Sequence, residues 1–225
     1  MVSRFSCLVP HDALQPLERP DPEWPPLVTA AFLGDAERVQ ALLNAGSIPD
    51  EADRDDWSAL QAAALRKQVV VLDLLLRAGA NVNHTDEEGF TPLLSAVTGG
   101  ALEIVQRLVE AGADMAATSR TLGYTPLTRA TECGHLDVVR YLLGRGIEPD
   151  QSSAPRTALM FACEQGYPEI ARALLEAGAD PTASYQNETP LDLAHKHNHP
   201  EVASLLREWI KRGTASEESQ SGSAD

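Results

Sequence analysis

Residues 89–114 read GFTPLLSAVTGGALEIVQRLVEAGAD, and this stretch decides the fold. Thr91 is a residue type that caps helices and Pro92 suits the first helical position, so the two predict the start of a short helix. Gly100 can end that helix in the left-handed conformation that glycine permits. Apolar residues then recur with the spacing of one helical face, which predicts a second helix that ends at Gly112.

The same pattern recurs along the chain. The positions equivalent to Thr91 are 33, 33, 34, 32 and 32 residues apart: Pro25, Ser58, Thr91, Thr125, Thr157 and Thr189. In the first five copies a glycine follows this position by 21 residues, namely Gly46, Gly79, Gly112, Gly146 and Gly178. Each unit therefore has a constant helical length and a connection of variable length, which is typical of a repeat protein.

The units resemble the ankyrin repeat, whose pattern runs G-x-T-P-L-H-x-A, then x-x-G-H, then V-x-x-L-L-x-x-G-A-D. The resemblance covers about residues 22–210. It implies an all-α repeat protein, an ankyrin-like solenoid of six helix-loop-helix units with short β-hairpin-like fingers. Such a solenoid is expected to bind other proteins through its fingertips and concave face.

The sequence departs from this pattern at several positions. The histidine after Thr-Pro-Leu is missing from all six copies, so its polar network with the threonine is not expected. Lys67 replaces the glycine that should end the first helix of the second copy, and Asn198 does so in the last copy. The second copy also has Ser58 and Ala59 in place of Thr-Pro, and it is predicted to be the weakest repeat.

The repeats are predicted to span about 21–53, 54–86, 87–120, 121–152, 153–184 and 185–212. Residues 1–20 are predicted to form an N-terminal tether or irregular cap. Residues 213–225 are small, polar and acidic, and this composition predicts a disordered acidic tail.

Composition narrows the class of partner and the compartment. A net charge of −15 argues against nucleic acid and against anionic membranes. The most apolar run, residues 69–76, contains Asp73 and is shorter than the roughly 18 residues of a membrane span. The three cysteines form no CxxC pair, which favours free thiols and a cytoplasmic location.

Two groups of residues raise the question of chemistry. His195 and His199 have the i, i+4 spacing that a zinc site uses on a helix, but the repeat alignment places a turn between them. Cys133 and His135 flank a glycine in the equivalent turn. No catalytic, cofactor-binding or metal-binding residue is therefore predicted. The alternative is a metal-dependent or thiol enzyme that uses Cys133 or the cluster from His195 through His197 to His199.

The predicted partner-binding residues lie at two repeat positions and in the fingers. Aromatic side chains precede the threonine position in the first four copies, at Trp24, Trp57, Phe90 and Tyr124. Seven residues after it, the first two copies carry Phe32 and Leu65. We predict that the four aromatic side chains before the threonine position form an exposed ribbon with Phe32 and Leu65 beside it, because aromatic residues are favoured interface anchors. The alternative is that each ring packs on its own finger as part of the core.

Acidic finger residues border the predicted ribbon, and the site includes Asp55, Asp56, Glu87 and Glu88. Carboxylates would attract a partner with a basic and apolar surface. The sequence thus predicts a non-enzymatic, monomeric and cytoplasmic scaffold for protein–protein interaction, without a cofactor. Another interpretation keeps the binding role for a bacterial effector exported into a host cell.

Overall fold

The computed structural model describes residues 20–120, 123–151 and 156–221, with side chains up to Arg212. In this part of the chain twelve helices form six consecutive pairs. The first helices of the pairs are α1 (Pro26–Leu33), α3 (Ala59–Leu65), α5 (Pro92–Gly99), α7 (Pro126–Glu132), α9 (Ala158–Gln165) and α11 (Pro190–Lys196). The second helices are α2 (Ala36–Asn44), α4 (Val69–Arg77), α6 (Leu102–Glu110), α8 (Leu136–Gly144), α10 (Pro168–Glu176) and α12 (Pro200–Ser221).

The helices form two layers, because each first helix contacts the next first helix and each second helix contacts the next second helix. Small residues allow this close stacking. An alanine five residues after each threonine position has no exposed surface: Ala30, Ala63, Ala96, Ala130, Ala162 and Ala194. The six predicted units and the all-α repeat fold are confirmed.

A side-chain cap starts the first helix of every repeat from the second onward. Five hydroxyls accept a hydrogen bond from the backbone N–H three residues later: Ser58, Thr91, Thr125, Thr157 and Thr189. Gln61, Thr128 and Asp192 stand where the histidine was missing, and each completes a capping box. The network of threonine and histidine is absent from these three repeats, and an amide, a hydroxyl and a carboxylate make a local polar network in place of the imidazole.

The turn between the two helices of a repeat has a left-handed residue. It is glycine in four repeats, at Gly34, Gly100, Gly134 and Gly166, with φ between 68° and 75°. A Cβ added to any of them would press on one side chain of the following repeat, from Gln68, His135, Tyr167 and His199 respectively. Lys67 and Asn198 have φ of 60°, as predicted. The repeat that follows Lys67 carries only Ala101 at the covering position, so a Cβ at Lys67 is tolerated there.

Lys67 gives a direct test of backbone strain in this turn. Because a left-handed backbone is unfavourable for lysine and free for glycine, Lys67→Gly should raise the free energy of unfolding by up to about 1 kcal/mol. Urea unfolding followed by circular dichroism measures the change. Lys67→Ala is the control, since it removes the charge and keeps the Cβ. An equal change in both variants would mean that the backbone carries no strain.

Helix α12 continues to Ser221 and so enters the segment from residue 213 onward, whose disorder stays a prediction. No proline follows Pro200, and alanine, glutamate and glutamine dominate residues 215–220. These are good helix formers that add little to the cost of about 1 kcal/mol for Gly213. The predicted tether falls almost entirely within residues 1–19, which lie outside the described residues.

None of the described helices combines the length and the apolar character that crossing a membrane requires.

The cysteines differ from the expectation of free thiols. Cys163 is free and buried, and burial raises the pKa of its thiol to about 12. Cys133 is disulfide-bonded, so the expectation is wrong for that residue, and the cytoplasmic location stays a prediction.

Candidate functional site

The connections between repeats are fingers, and the first two fold back on themselves around a buried carboxylate. In the first finger (residues 45–58), Asp53 accepts hydrogen bonds from the backbone N–H groups of Asp55 at 3.0 Å and Trp57 at 2.9 Å. In the second finger (residues 78–91), Asp86 accepts one from the N–H of Phe90 at 2.8 Å. Both carboxylates are buried, at 9% and 4% exposed. They shape the fingers instead of facing a partner.

Backbone hydrogen bonds join neighbouring fingertips. The N–H of Glu87 donates to the carbonyl of Asp55 at 3.1 Å, and the N–H of Arg120 donates to the carbonyl of Glu88 at 2.8 Å. The Nε2 of His84 lies 2.8 Å from the carbonyl oxygen of Asp56. These contacts bring the four predicted acids together at adjacent tips. Asp56 and Glu87 are exposed, and Asp55 and Glu88 are half-buried.

Asp86 links the second finger to helix α3 of the same repeat. The Nε2 of Gln61 donates to the Asp86 carboxylate at 3.2 Å and to the carbonyl of Phe90 at 2.9 Å. Burial raises the pKa of Asp86 from 3.8 to about 6, and hydrogen bonds from Phe90 and Gln61 oppose part of that rise.

The raised pKa of Asp86 predicts a pH effect on stability. Between pH 8 and pH 5 the folded chain takes up a proton at Asp86, whereas the unfolded chain does so only at lower pH. Acidification over this range should therefore stabilise the native protein, by about 1 kcal/mol relative to Asp86→Asn. Urea unfolding of both proteins at several pH values measures the difference. A carboxyl NMR titration of Asp86 with a midpoint near its ordinary value of 3.8 would contradict the prediction.

The aromatic row is buried, so the predicted exposed ribbon is wrong. Its members Trp24, Phe32, Trp57, Phe90 and Tyr124 are 9%, 1%, 0%, 3% and 7% exposed. Leu65 is half-buried. The rings belong to the core, as the alternative interpretation had it, and they offer no accessible ribbon to a partner.

Part of the reason is a pairing, present in four of the six repeats, that the sequence interpretation missed. The residue before the threonine position contacts the residue eight places later. The rings of Trp24 and Phe32 lie 5.1 Å apart, and the hydroxyl of Tyr124 donates to Glu132 at 2.7 Å. The last two repeats have ion pairs at the same two positions, Arg156 with Glu164 and Glu188 with Lys196. Because the order of the charges is reversed between these two pairs, the sequence itself indicated that the two positions are in contact.

A buried ion pair in the fourth repeat was also missed. The Nη1 of Arg129 lies 2.6 Å from a carboxylate oxygen of Glu132, and the two side chains are 3% and 7% exposed. The Nε of Arg129 donates to the hydroxyl of Thr98 in the third repeat at 3.0 Å. Its guanidinium lies 5.0 Å from the ring centre of Tyr124 and 5.8 Å from that of Phe90. Burial and the bond to Glu132 raise the pKa of Tyr124.

The candidate metal cluster is divided among different partners. The Nη2 of Arg207 lies 2.8 Å from the Nε2 of His195, and the Nε2 of His199 lies 3.0 Å from the carbonyl oxygen of Glu164. The Nε2 of His197 is 3.8 Å from the carboxylate of Glu164. Helix α11 ends at Lys196, so a turn separates the outer two histidines. Within the described residues no group of three or more metal-binding side chains comes together.

Comparison with known proteins identifies the repeat. No curated protein matches the chain. The family described as "Ankyrin repeats (3 copies)" matches residues 7–86, 27–119, 70–153 and 146–213, which together run through most of the chain. Six stacked helix pairs with fingers between them agree with that match, and the chain belongs to the ankyrin repeat family.

Proposed function

We propose that this chain binds a partner protein with a basic surface through the adjacent tips of its first and second fingers. Ankyrin repeats are generally protein–protein interaction modules, and the family is typically non-enzymatic. The observation that carries the proposal is the pair of backbone hydrogen bonds from Glu87 to Asp55 and from Arg120 to Glu88. The first bond joins the second fingertip to the first and the other joins the third to the second, so the four acids belong to tips that are in contact.

The partner-binding role is limited to the acidic part of the predicted site. Two features support the tips: their acids belong to neighbouring fingers, and the fingers are fixed by the buried carboxylates of Asp53 and Asp86. A fixed row of like charges favours a partner that presents lysine or arginine at matching spacing. Contacts with such a partner should weaken as salt is added, since exposed charges are screened.

Affinity purification with a charge-matched control tests the proposal. The bait carries Asp55→Asn, Asp56→Asn, Glu87→Gln and Glu88→Gln, which keep the shapes of the side chains. The control bait loses four exposed acids from second helices through Glu37→Gln, Glu110→Gln, Glu176→Gln and Glu201→Gln. We expect the fingertip bait alone to lose a partner that the wild-type chain captures and the control retains. Equal loss from both baits, or from neither, would contradict a fingertip site.

Monomeric state and cytoplasmic location are part of the same proposal. A helix pair caps each end of the described array, which favours a single chain as the binding unit. Location is tested by fractionating the native cell. Recovery of the chain from a host cell would instead favour an exported effector.

The metal-enzyme alternative is tested by metal analysis of wild-type chain and a His195→Ala, His199→Ala variant, and stoichiometric zinc in the wild type alone would support it.

A further inference from the structure

Two exposed aliphatic side chains break the repeat pattern at one edge of the array. Leu33, the last residue of α1, is 57% exposed, and Val70, the second residue of α4, is 63% exposed. The position of Leu33 holds no other aliphatic residue, as its equivalents are Arg66, Gly99, Cys133, Gln165 and His197. The position of Val70 is acidic in all five other repeats, at Glu37, Glu103, Asp137, Glu169 and Glu201.

Two cations lie at the same edge. Arg66 and Lys67 are adjacent and exposed in a chain whose net charge is −15. Lys67 keeps a left-handed φ of 60° where four other repeats have glycine. Because the next repeat carries Ala101 at the covering position, no large side chain from that position lies over Lys67. Backbone strain of this kind tends to persist where a residue serves a function.

Contacts between the first two repeats place these four residues at or beside two neighbouring turns. The side chain of Gln68 packs against Gly34, so the turn of repeat 1 touches the turn of repeat 2. Leu33 directly precedes Gly34 and Val70 follows Gln68 by two residues. The guanidinium of Arg66 lies 4.7 Å from the ring centre of Phe32. We call Leu33, Arg66, Lys67 and Val70 the turn-edge patch.

The turn-edge patch differs from the fingertips in place and in charge. A turn joins the two helices of a repeat at one end, and the fingers leave from the other end. The patch combines two aliphatic side chains with two cations, whereas the fingertips carry carboxylates. An acidic ligand that suits the patch would therefore be repelled by the carboxylates of the fingertips.

We propose that the turn-edge patch binds an acidic segment of a second partner protein that also carries apolar side chains. Leu33 and Val70 would contact the apolar groups, and Arg66 and Lys67 would pair with the carboxylates. The choice of an acidic partner rests on charge complementarity, which selects partners by attracting one sign of charge and repelling the other. An acid at the position of Val70, as in the other repeats, would oppose such a segment.

Selection from a random peptide display library against the full chain tests this inference. The test variant carries Leu33→Gln, Arg66→Gln, Lys67→Asn and Val70→Glu, each a residue that another repeat carries at that position. We expect wild-type chain to enrich a pool of peptides that combine acidic and apolar residues. Affinity for that pool should fall at least about tenfold in the test variant. Thermal unfolding of both proteins checks that the variant is folded.

The same selection separates the two surfaces. Basic peptides should depend on the fingertip acids and remain unaffected by the turn-edge variant, so either surface can fail without the other. A control variant with Gln165→Ala and Glu169→Ala changes the equivalent positions of repeat 5 and should bind the acidic pool normally. The inference is overturned if no acidic pool is enriched, or if the test variant binds that pool as tightly as wild type.

Two further measurements identify other occupants. Sedimentation of wild-type and variant chain over a range of concentrations detects a second copy bound at the patch. A dimer that only the wild type forms would make the chain itself the occupant. Flotation with phosphatidylserine vesicles tests an anionic membrane. Binding to vesicles that the variant loses would assign the patch to lipid, and either result would replace the acidic partner segment.

Discussion

Trp57→Ala should lower the free energy of unfolding by about 3–5 kcal/mol, which is the usual cost of removing a large ring from a packed core. Trp57 has no exposed surface, and its ring lies 5.0 Å from that of Trp24 and 6.2 Å from that of Phe32. Both partners belong to the first repeat, which has a single neighbouring repeat among the described residues. The damage should therefore be concentrated at the junction of repeats 1 and 2.

Two measurements separate this result from the loss of a binding contact. Urea unfolding gives the change in stability, and hydrogen exchange should show α1 and α2 losing protection before the other helices. Trp57→Phe should recover part of the loss because it keeps a ring in place. Ile48→Ala is the surface control, since Ile48 is 70% exposed and its change should stay within about 0.5 kcal/mol. Unchanged stability in Trp57→Ala would contradict a core position.

The fold could be predicted because its determinants are local and recur in every repeat. The hydroxyl at Thr91, the alanine at Ala96 and the glycine at Gly100 each act within one unit, so their spacing alone defines the helix pair. Lys67 shows the same logic, since alignment gave its left-handed backbone correctly. The end of α12 was missed because a polar, acidic composition suits both a disordered tail and a solvated helix.

The candidate site was predicted only in part, because exposure depends on contacts that composition does not reveal. Trp57 and Phe90 were interpreted as interface anchors, yet a ring before the threonine position lies inward. The acids Asp53 and Glu88 look alike in sequence, but Asp53 accepts backbone hydrogen bonds inside the first finger and Glu88 lies at the tip of the second. In the last two repeats the residue before the threonine position and the residue eight places later have opposite charges, and comparing these two positions across all six repeats would have revealed that they pair.

Glu132→Ala should lower the free energy of unfolding by about 3–5 kcal/mol, because it leaves the buried charge of Arg129 without its carboxylate. The variant also removes the acceptor of the Tyr124 hydroxyl, which lies 2.7 Å from Glu132. The remaining bond from Arg129 to Thr98 supplies no opposite charge. Because Thr98 and Arg129 belong to different repeats, the loss should weaken the junction between repeats 3 and 4.

A double variant without either charge distinguishes the effect of the ion pair from a simple loss of packing. Arg129→Met with Glu132→Leu removes both charges and roughly keeps the volume, so it should cost far less than Glu132→Ala and could stabilise the protein. The exposed pair in the last repeat is the matched control. Lys196 and Glu188 are 58% and 30% exposed, and Lys196→Ala should cost about 1 kcal/mol or less. If the double variant is as unstable as Glu132→Ala, then volume and the Tyr124 bond determine the stability of this junction, and the ion pair does not.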